Sequence, residues 1–291
     1  VPTNPVAAMA DGQMLPIILF AVLLGISITL SKDIGVRVSN WFNDVNAVIM
    51  KLVTLVMEVA PYGVFSLITI LAATSSAADI FALGKYVSLV FGVLFVHALI
   101  VYPTIFMFVT RLSPLLFLSK LRAAMLFAFS TASSNATIPV TLETVEKKIG
   151  VSNKIASFTV PLGATINMDG TAIMQGIATG FIAQFYGIDL SVTQYLMVVI
   201  LVILASIGTA GVPSVGLVVL AGVLDQVGLP AEGIALILGV DRLLDMTRTV
   251  VNITGDSMVT TIVAKSENEL DLDVFHDRRA GLAFEEQTTL S

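Results

Sequence analysis

Uncharged, apolar stretches long enough to cross a bilayer recur along the chain. A hydrocarbon core of about 30 Å takes roughly 20 residues of α-helix. Residues 12–31 carry no charge, 59–78 none after Glu58, and 86–110 none apart from the titratable His97. These three predict spanning helices, the second starting near Val45 and therefore long. Further stretches follow at 123–142, at 155–188 with Asp169 inside, at 190–224 with no charge, and at 233–264, which holds Asp241, Arg242, Asp245, Arg248 and Asp256.

Lysine and arginine mark the cytoplasmic side of membrane loops. Lys32 and Arg37 follow the first stretch; Arg111, Lys120 and Arg122 the third; Lys147, Lys148 and Lys154 follow 123–142; Lys265 follows the last. The other loops carry mainly acids: Asp79 beside Lys85, Asp189, and Asp225 with Glu232. Single crossings would make the two kinds alternate. They do not: 123–142 has basic residues at both ends and 190–224 has acids at both ends. Both are broken by small and turn-forming residues, at Ser130–Pro139 and Ser206–Ser214. Re-entrant hairpins entering from opposite faces satisfy length and charge together. Irregular backbone at membrane depth is tolerated only where it is buried in protein or lines a wet cavity, so the two tips are expected to meet at a site. Hairpin, polar-interrupted helix, hairpin, polar-interrupted helix is an inverted repeat, the architecture of a secondary transporter. The fold class expected is an all-α membrane protein with transmembrane helices and two re-entrant helical hairpins in inverted repeats.

Composition agrees. Of 291 residues 56% are hydrophobic and 12% charged, with mean hydropathy +0.94, against about 25% charge in soluble domains. Zero cysteines exclude disulfides, cysteine zinc sites and thiol catalysis, and two histidines are too few for a histidine metal cluster. The net charge of −6 offers no basic footprint for nucleic acid. Residues 266–291 contribute −5 of it, from seven acids and two arginines, and read as a polar, disordered cytoplasmic tail.

Within 233–264, Asp241, Asp245, Arg248, Asn252 and Asp256 are spaced by 4, 3, 4 and 4 residues. At about 100° per residue they share one helical stripe. Such a stripe cannot face lipid, and intramembrane charges are functional candidates by default. Asp169 lies in Asn167-Met168-Asp169-Gly170-Thr171, after Pro161-Leu162-Gly163-Ala164-Thr165. Gly, Pro and Asn there predict local unwinding, with freed carbonyls turned toward a cation. Carbonyls, hydroxyls, an amide and carboxylates are hard donors suited to alkali or alkaline-earth ions. Arg248 offers a planar fork for a carboxylate and Asp245 suits an ammonium group, together describing a pocket for an acidic amino acid. A structural Arg248–Asp245 ion pair is the plainer alternative, and it leaves Asp169 and Asp256 unexplained.

These segments resemble the glutamate/aspartate:cation symporter family, the dicarboxylate/amino acid:cation symporters that include the excitatory amino acid transporters. The motifs are Ser-Ser-Asn-Ala-Thr at 133–137, Asn-Met-Asp-Gly-Thr at 167–171, Ser-Ile-Gly-Thr-Ala-Gly-Val-Pro at 206–213, and Asp-Met-Thr-Arg-Thr-Val-Val-Asn-Ile-Thr-Gly-Asp at 245–256. The resemblance implies a sodium-coupled importer of glutamate or aspartate working by an elevator-type alternating access, with the hairpins as gates. It implies that Arg248, helped by Thr171, holds the substrate side-chain carboxylate and that Asp245 takes the amino group. Asn252 and Ser134, with backbone from Val212 to Gly216, would bind the main-chain carboxylate, beside Thr249, and Ser133 would be a further substrate-binding residue. One sodium site would use Asp256 with carbonyls of Gly163, Asn167 and Asn252; a second, backbone at Thr165, Ser206, Ile207 and Thr209 near Met168; a third, the side chains of Asp169 and Asn167. Asp241 resembles a supporting group. Ala132 stands where some prokaryotic members carry arginine, with Arg242 the candidate replacement.

The same resemblance implies co-transported Na+ with no organic cofactor, a homotrimer in the cell (inner) membrane, a cytoplasmic C-terminus, and a chain that begins inside the fourth of eight helices. Expected domains are a scaffold region at 1–81, a transport domain at 82–265 and the tail at 266–291. Within the transport domain, hairpins lie at 116–146 and 191–227 and interrupted helices at 154–188 and 231–264. Alternatives are a C4-dicarboxylate or neutral amino acid symporter, an ion channel, or a fragment without activity of its own. An intramembrane aspartyl protease is disfavoured, because Ile253-Thr254-Gly255-Asp256 lacks a Gly-x-Gly-Asp motif.

Overall fold

The computed structural model describes residues 4–10, 14–74, 77–207, 209 and 211–281. Its regular structure is helical, with one isolated antiparallel bridge between Val151 and Leu270. The chain divides into two compact units, Val1–Ile80 and Phe81–Ser291.

In the first unit α1 (Pro5–Ala10) packs on α2 (Met14–Leu30), and α2 on α3 (Lys32–Thr74). The long second helix expected from near Val45 starts thirteen residues earlier, at Lys32. Nothing between Lys32 and Val45 breaks a helix; the polar residues taken for a loop sit on a helical surface, and the turn shrinks to left-handed Lys32, φ 48°.

α4 (Ala77–Val96), which belongs to the second unit from Phe81 onward, runs through a π turn at His97–Val101 into α5 (Tyr102–Thr110). Among the described residues, Ile80–Thr110 is the one helix long and apolar enough to cross a bilayer by itself. The other apolar stretches of this unit, except the last, come as broken pairs. α6 (Pro114–Lys120) and α7 (Arg122–Thr131) bend by 54°, and α8 (Ser134–Glu143) follows after Ala132-Ser133. α9 (Asn153–Ile166) stops before Asn167 and Met168, whose φ/ψ of −101/79° and −111/51° are non-helical, and α10 (Asp169–Phe185) resumes. Pro161, which lacks a backbone donor, already weakens the end of α9. α11 (Val192–Ile207) and α12 (Val215–Gln226) flank the Gly- and Pro-containing segment.

The expected interruption of 231–264 takes a different form: α13 (Ile234–Ser266) is one continuous helix. Its polar residues interrupt the apolar surface and leave the backbone intact, because no proline falls inside it. α13 is the axis of the unit, packed by α5, α7, α8, α9, α10 and α12, and its charges are therefore held at fixed positions.

The segment after Ser266, expected as a disordered tail, is ordered through Gly281; residues 282–291 lie outside the described residues. α14 (Leu272–His276) is capped by the Asp271 side chain and buries Phe275 completely. Phe106 stacks on Phe117 at 4.5 Å and meets Phe275 at 6.4 Å. Lys120 Nζ donates to the carbonyls of Lys148, Val274 and Asp277, and Lys265 donates to the Thr110 carbonyl. Lys154 pairs with Glu269 at 3.0 Å and holds its carboxyl below the usual range. The count of acids hid this docking, which one buried aromatic and carbonyl acceptors produce. Phe275→Ala removes an anchor of about 3–5 kcal/mol, so amide hydrogen exchange at Asp271 and Phe275 is expected to accelerate by at least roughly a hundredfold.

Candidate functional site

The two breaks touch. Ser133 caps α8 by accepting from Ala136 N, and its hydroxyl donates to the Gly211 carbonyl at 2.7 Å. Asn135 N donates to the same carbonyl at 3.0 Å. A Cβ on Gly211 would lie 2.7 Å from Asn135 Oδ1 and 3.0 Å from the Ala164 carbonyl, so only glycine permits this approach. Each break contains a non-glycine residue in the left-handed region, Ala132 at φ 51° and Ser214 at φ 62°. That conformation costs about 1–2 kcal/mol for an L-residue and is retained by the surrounding contacts.

Beneath the breaks lies the polar stripe of α13, every member of it buried. Arg248 is 2% exposed; its Nε donates to Asp245 Oδ1 and its Nη1 to Asp241 Oδ1, both at 3.0 Å. Asp245 Oδ2 accepts from Ser214 N at 2.7 Å, fastening the second break to the stripe. Nη2 makes no hydrogen bond among the described residues and faces Gly216, where a Cβ would come within 3.2 Å of it. Gln175 Nε2 holds the Gly216 carbonyl at 2.9 Å. Asn252 accepts from Gly170 N at 2.8 Å and donates to Met168 Sδ at 3.2 Å. Between breaks and stripe is a small cavity of about 10 Å³, the space of one water.

Of the expected substrate residues, Ser134, Thr171, Val212, Gly216, Asp245, Arg248, Thr249 and Asn252 all line this cavity. Ser133 supports it from behind through Gly211. Arg242 is exposed and does not line it, since one residue past Asp241 is a turn of about 100° away.

The expected cation ligands separate into groups. Asn167 Nδ2 donates to Asp256 Oδ1 at 2.9 Å. A Cβ on Gly163 would meet that same oxygen at 2.7 Å, so glycine admits Asp256 to the end of α9. Asp169 Oδ2 instead accepts from the Tyr102 hydroxyl at 2.8 Å and lies 3.4 Å from His97 Nε2. Tyr102 and Asn167 both close on Gly255, where a Cβ would fall 2.5 and 2.6 Å from their polar atoms. Met168 and Thr209 share the cavity wall. The hydroxyls of Thr165 and Ser206 bond their own helices, that of Thr209 bonds the Ala205 carbonyl near the end of α11, and the side chain of Ile207 is exposed. Among the described residues no three His, Asp or Glu side chains converge as a metal cluster; Asn167 turns its amide nitrogen to Asp256, and the Gly163 carbonyl accepts from Asn167 N at 2.8 Å. Gly163→Ala is expected to displace Asp256 and destabilise the fold by about 1–3 kcal/mol, read by thermal unfolding.

Sequence reasoning missed Tyr102 and Gln175. His97 and Tyr102 are five residues apart, and the π turn between them sets the rings 4.4 Å apart. The polar His97 within an apolar stretch was the available signal; nothing in the spacing announced the π turn.

Residues 1–266 match the family model described as the sodium:dicarboxylate symporter family. The chain belongs to that family. Members of the sodium:dicarboxylate symporter family are secondary transporters, not enzymes. The chain is 39% identical to a proton/glutamate-aspartate symporter of Escherichia coli (strain K12), over 99% of its length and 64% of that protein's. It is 39% identical to a proton/sodium-glutamate symport protein of Bacillus subtilis (strain 168), over 92% and 62%. An excitatory amino acid transporter 3 of Mus musculus is 41% identical over 91% and 51%. The chain thus spans between about half and two thirds of these relatives.

Proposed function

We propose that the chain is the substrate-binding part of a cation-coupled symporter for glutamate or aspartate. The observation that carries this is the buried Arg248, held between Asp241 and Asp245 with Nη2 unengaged beneath two touching backbone breaks. A guanidinium so fixed offers its open edge to a side-chain carboxylate, and Asp245 offers charge to an ammonium group that a plain dicarboxylate lacks. Asn252 and the breaks supply donors for the main-chain carboxylate.

The cavity is too small for an amino acid, so one break must part from the stripe before substrate enters. Release of Ser214 N from Asp245 frees the carboxylate for the incoming ammonium. In this reading α7–α8 and α11–α12 are re-entrant hairpins entering from opposite faces and acting as gates for alternating access. Asp169, Asp241, Asp245 and Asp256 outnumber Arg248, and a side-chain set with four carboxylates to one arginine takes an anionic substrate only after cations enter. Sodium is the co-transported ion, at Asp256 with Gly163, Asn167 and Asn252, at Thr165, Met168, Ser206, Ile207 and Thr209, and at Asp169 with Asn167. Each charge moved through 100 mV contributes about 2.3 kcal/mol. The assembly is a homotrimer in the cell membrane, residues 1–81 belonging to its scaffold, with the C-terminus cytoplasmic.

Radiolabelled uptake into vesicles holding the protein tests this. Aspartate uptake under an inward sodium gradient should exceed uptake in choline at least tenfold, and succinate should compete weakly. Equal uptake of succinate would move the reading to a dicarboxylate carrier.

A further inference from the structure

Two buried oxygens near Arg248, the Tyr86 hydroxyl and Asp241 Oδ2, have no hydrogen-bond partner among the described residues. Tyr86, on α4, is 3% exposed and Asp241 2%. The Tyr86 ring lies against Phe181 of α10, with centroids 5.0 Å apart, and its hydroxyl is electrostatically coupled to Asp241 and Arg248. A hydroxyl can donate and an ionised carboxylate can only accept, so the two oxygens are chemically complementary. Buried polar groups are ordinarily satisfied, and a buried pair of this kind calls for a use.

The two aspartates that hold Arg248 differ in how firmly they are held themselves. Asp245 is engaged at both oxygens, Oδ1 by Arg248 Nε and Oδ2 by Ser214 N. Asp241 accepts Nη1 with Oδ1 alone. The Ser214 hydroxyl is near Asp241 but leaves Oδ2 without a bond, and Ser214 belongs to the second break. A carboxylate held through one oxygen turns about its own Cβ–Cγ bond, and the guanidinium it holds turns with it.

We propose that Tyr86 is a positioning residue for substrate binding: its hydroxyl donates to Asp241 Oδ2 when substrate occupies the cavity, and through Asp241 it fixes the direction in which Arg248 presents Nη2. This rests on the reading of Arg248 as the ligand of a substrate carboxylate. On that reading Asp245 turns toward the ammonium group and the second break carries Ser214 away, which leaves Asp241 as the fixed hold on the fork. α4 lies outside both breaks, so Tyr86 stays in reach. A hydrogen bond to an ionised group is stronger than one between neutral partners, and one formed only in the substrate-bound state adds its weight to binding.

Calorimetric titration of L-aspartate at saturating sodium, with thermal unfolding in the absence of aspartate, tests this on wild type, Tyr86→Phe, Asp241→Asn and the double variant. Phenylalanine keeps the ring against Phe181 and removes the hydroxyl alone. Tyr86→Phe should weaken aspartate binding about tenfold, the weight of one hydrogen bond to a charged group. Without aspartate the same variant should melt at or above the wild-type temperature, because an unsatisfied buried hydroxyl is gone. In the Asp241→Asn background the substitution should change affinity by about twofold at most, since the partner through which it acts has been removed. An unchanged affinity in Tyr86→Phe, an equal loss in both backgrounds, or a lowered melting temperature without aspartate overturns the role of Tyr86 and leaves the reading of Arg248 standing. Absence of aspartate binding by wild type overturns the reading of Arg248, and the role of Tyr86 with it.

Discussion

Arg248→Lys is expected to weaken L-aspartate binding at saturating sodium by at least roughly a hundredfold, while leaving sodium-dependent thermal stabilisation in place. Lysine keeps the charge but cannot donate from one plane to Asp241, Asp245 and a substrate carboxylate together. In the folded protein Nε and Nη1 are spent on the two aspartates at 3.0 Å each, and only a fork has an edge left over. Losing one partner of a buried, hydrogen-bonded charge pair costs about 2–5 kcal/mol, which sets the size of the effect. Arg248→Ala is the cruder variant. It abandons Asp241 and Asp245 as buried, uncompensated charges, and about 3–5 kcal/mol of stability goes with the fork. Unaltered aspartate affinity in the lysine variant would reduce Arg248 to a structural ion pair.

Asp256→Asn separates cation binding from the fold. Asparagine still accepts from Asn167 Nδ2, so the 2.9 Å bond between α13 and the end of α9 survives. The charge does not. In sodium-free buffer the variant is expected to melt above wild type, because a buried carboxylate without a cation has been removed. On adding sodium, wild type should gain stability by mass action while the variant gains far less, and the two melting curves should cross. Aspartate binding in the variant should lose most of its sodium dependence. Parallel curves at every sodium concentration would remove Asp256 from the cation site.

The parts of this arrangement legible in the sequence are those set by local periodicity and by electrostatic cost. The spacing of Asp241, Asp245, Arg248, Asn252 and Asp256 put them on one face before any packing was known, and the fold buries that face whole. The small-residue runs at 130–139 and 206–214 carried the backbone breaks, and two breaks with unpaired donors and acceptors had reason to find each other at Gly211. What stayed hidden depends on distance in the fold. The π turn that brings Tyr102 to Asp169 is a local slip of the helix with no composition of its own. The Gln175 bond to Gly216 joins residues 41 positions apart. The charge of the C-terminal segment concealed its anchor, because a single Phe275 and three backbone carbonyls outweigh a row of solvated acids.

The most direct measurement is calorimetric titration of L-aspartate into the purified protein across a series of sodium concentrations, with choline keeping ionic strength constant. Affinity is expected to rise steeply with sodium, more than in simple proportion, because cations must enter a net negative site before an anionic substrate is held. Aspartate affinity that is the same in sodium and in choline would contradict cation-coupled binding at Arg248 and its aspartates.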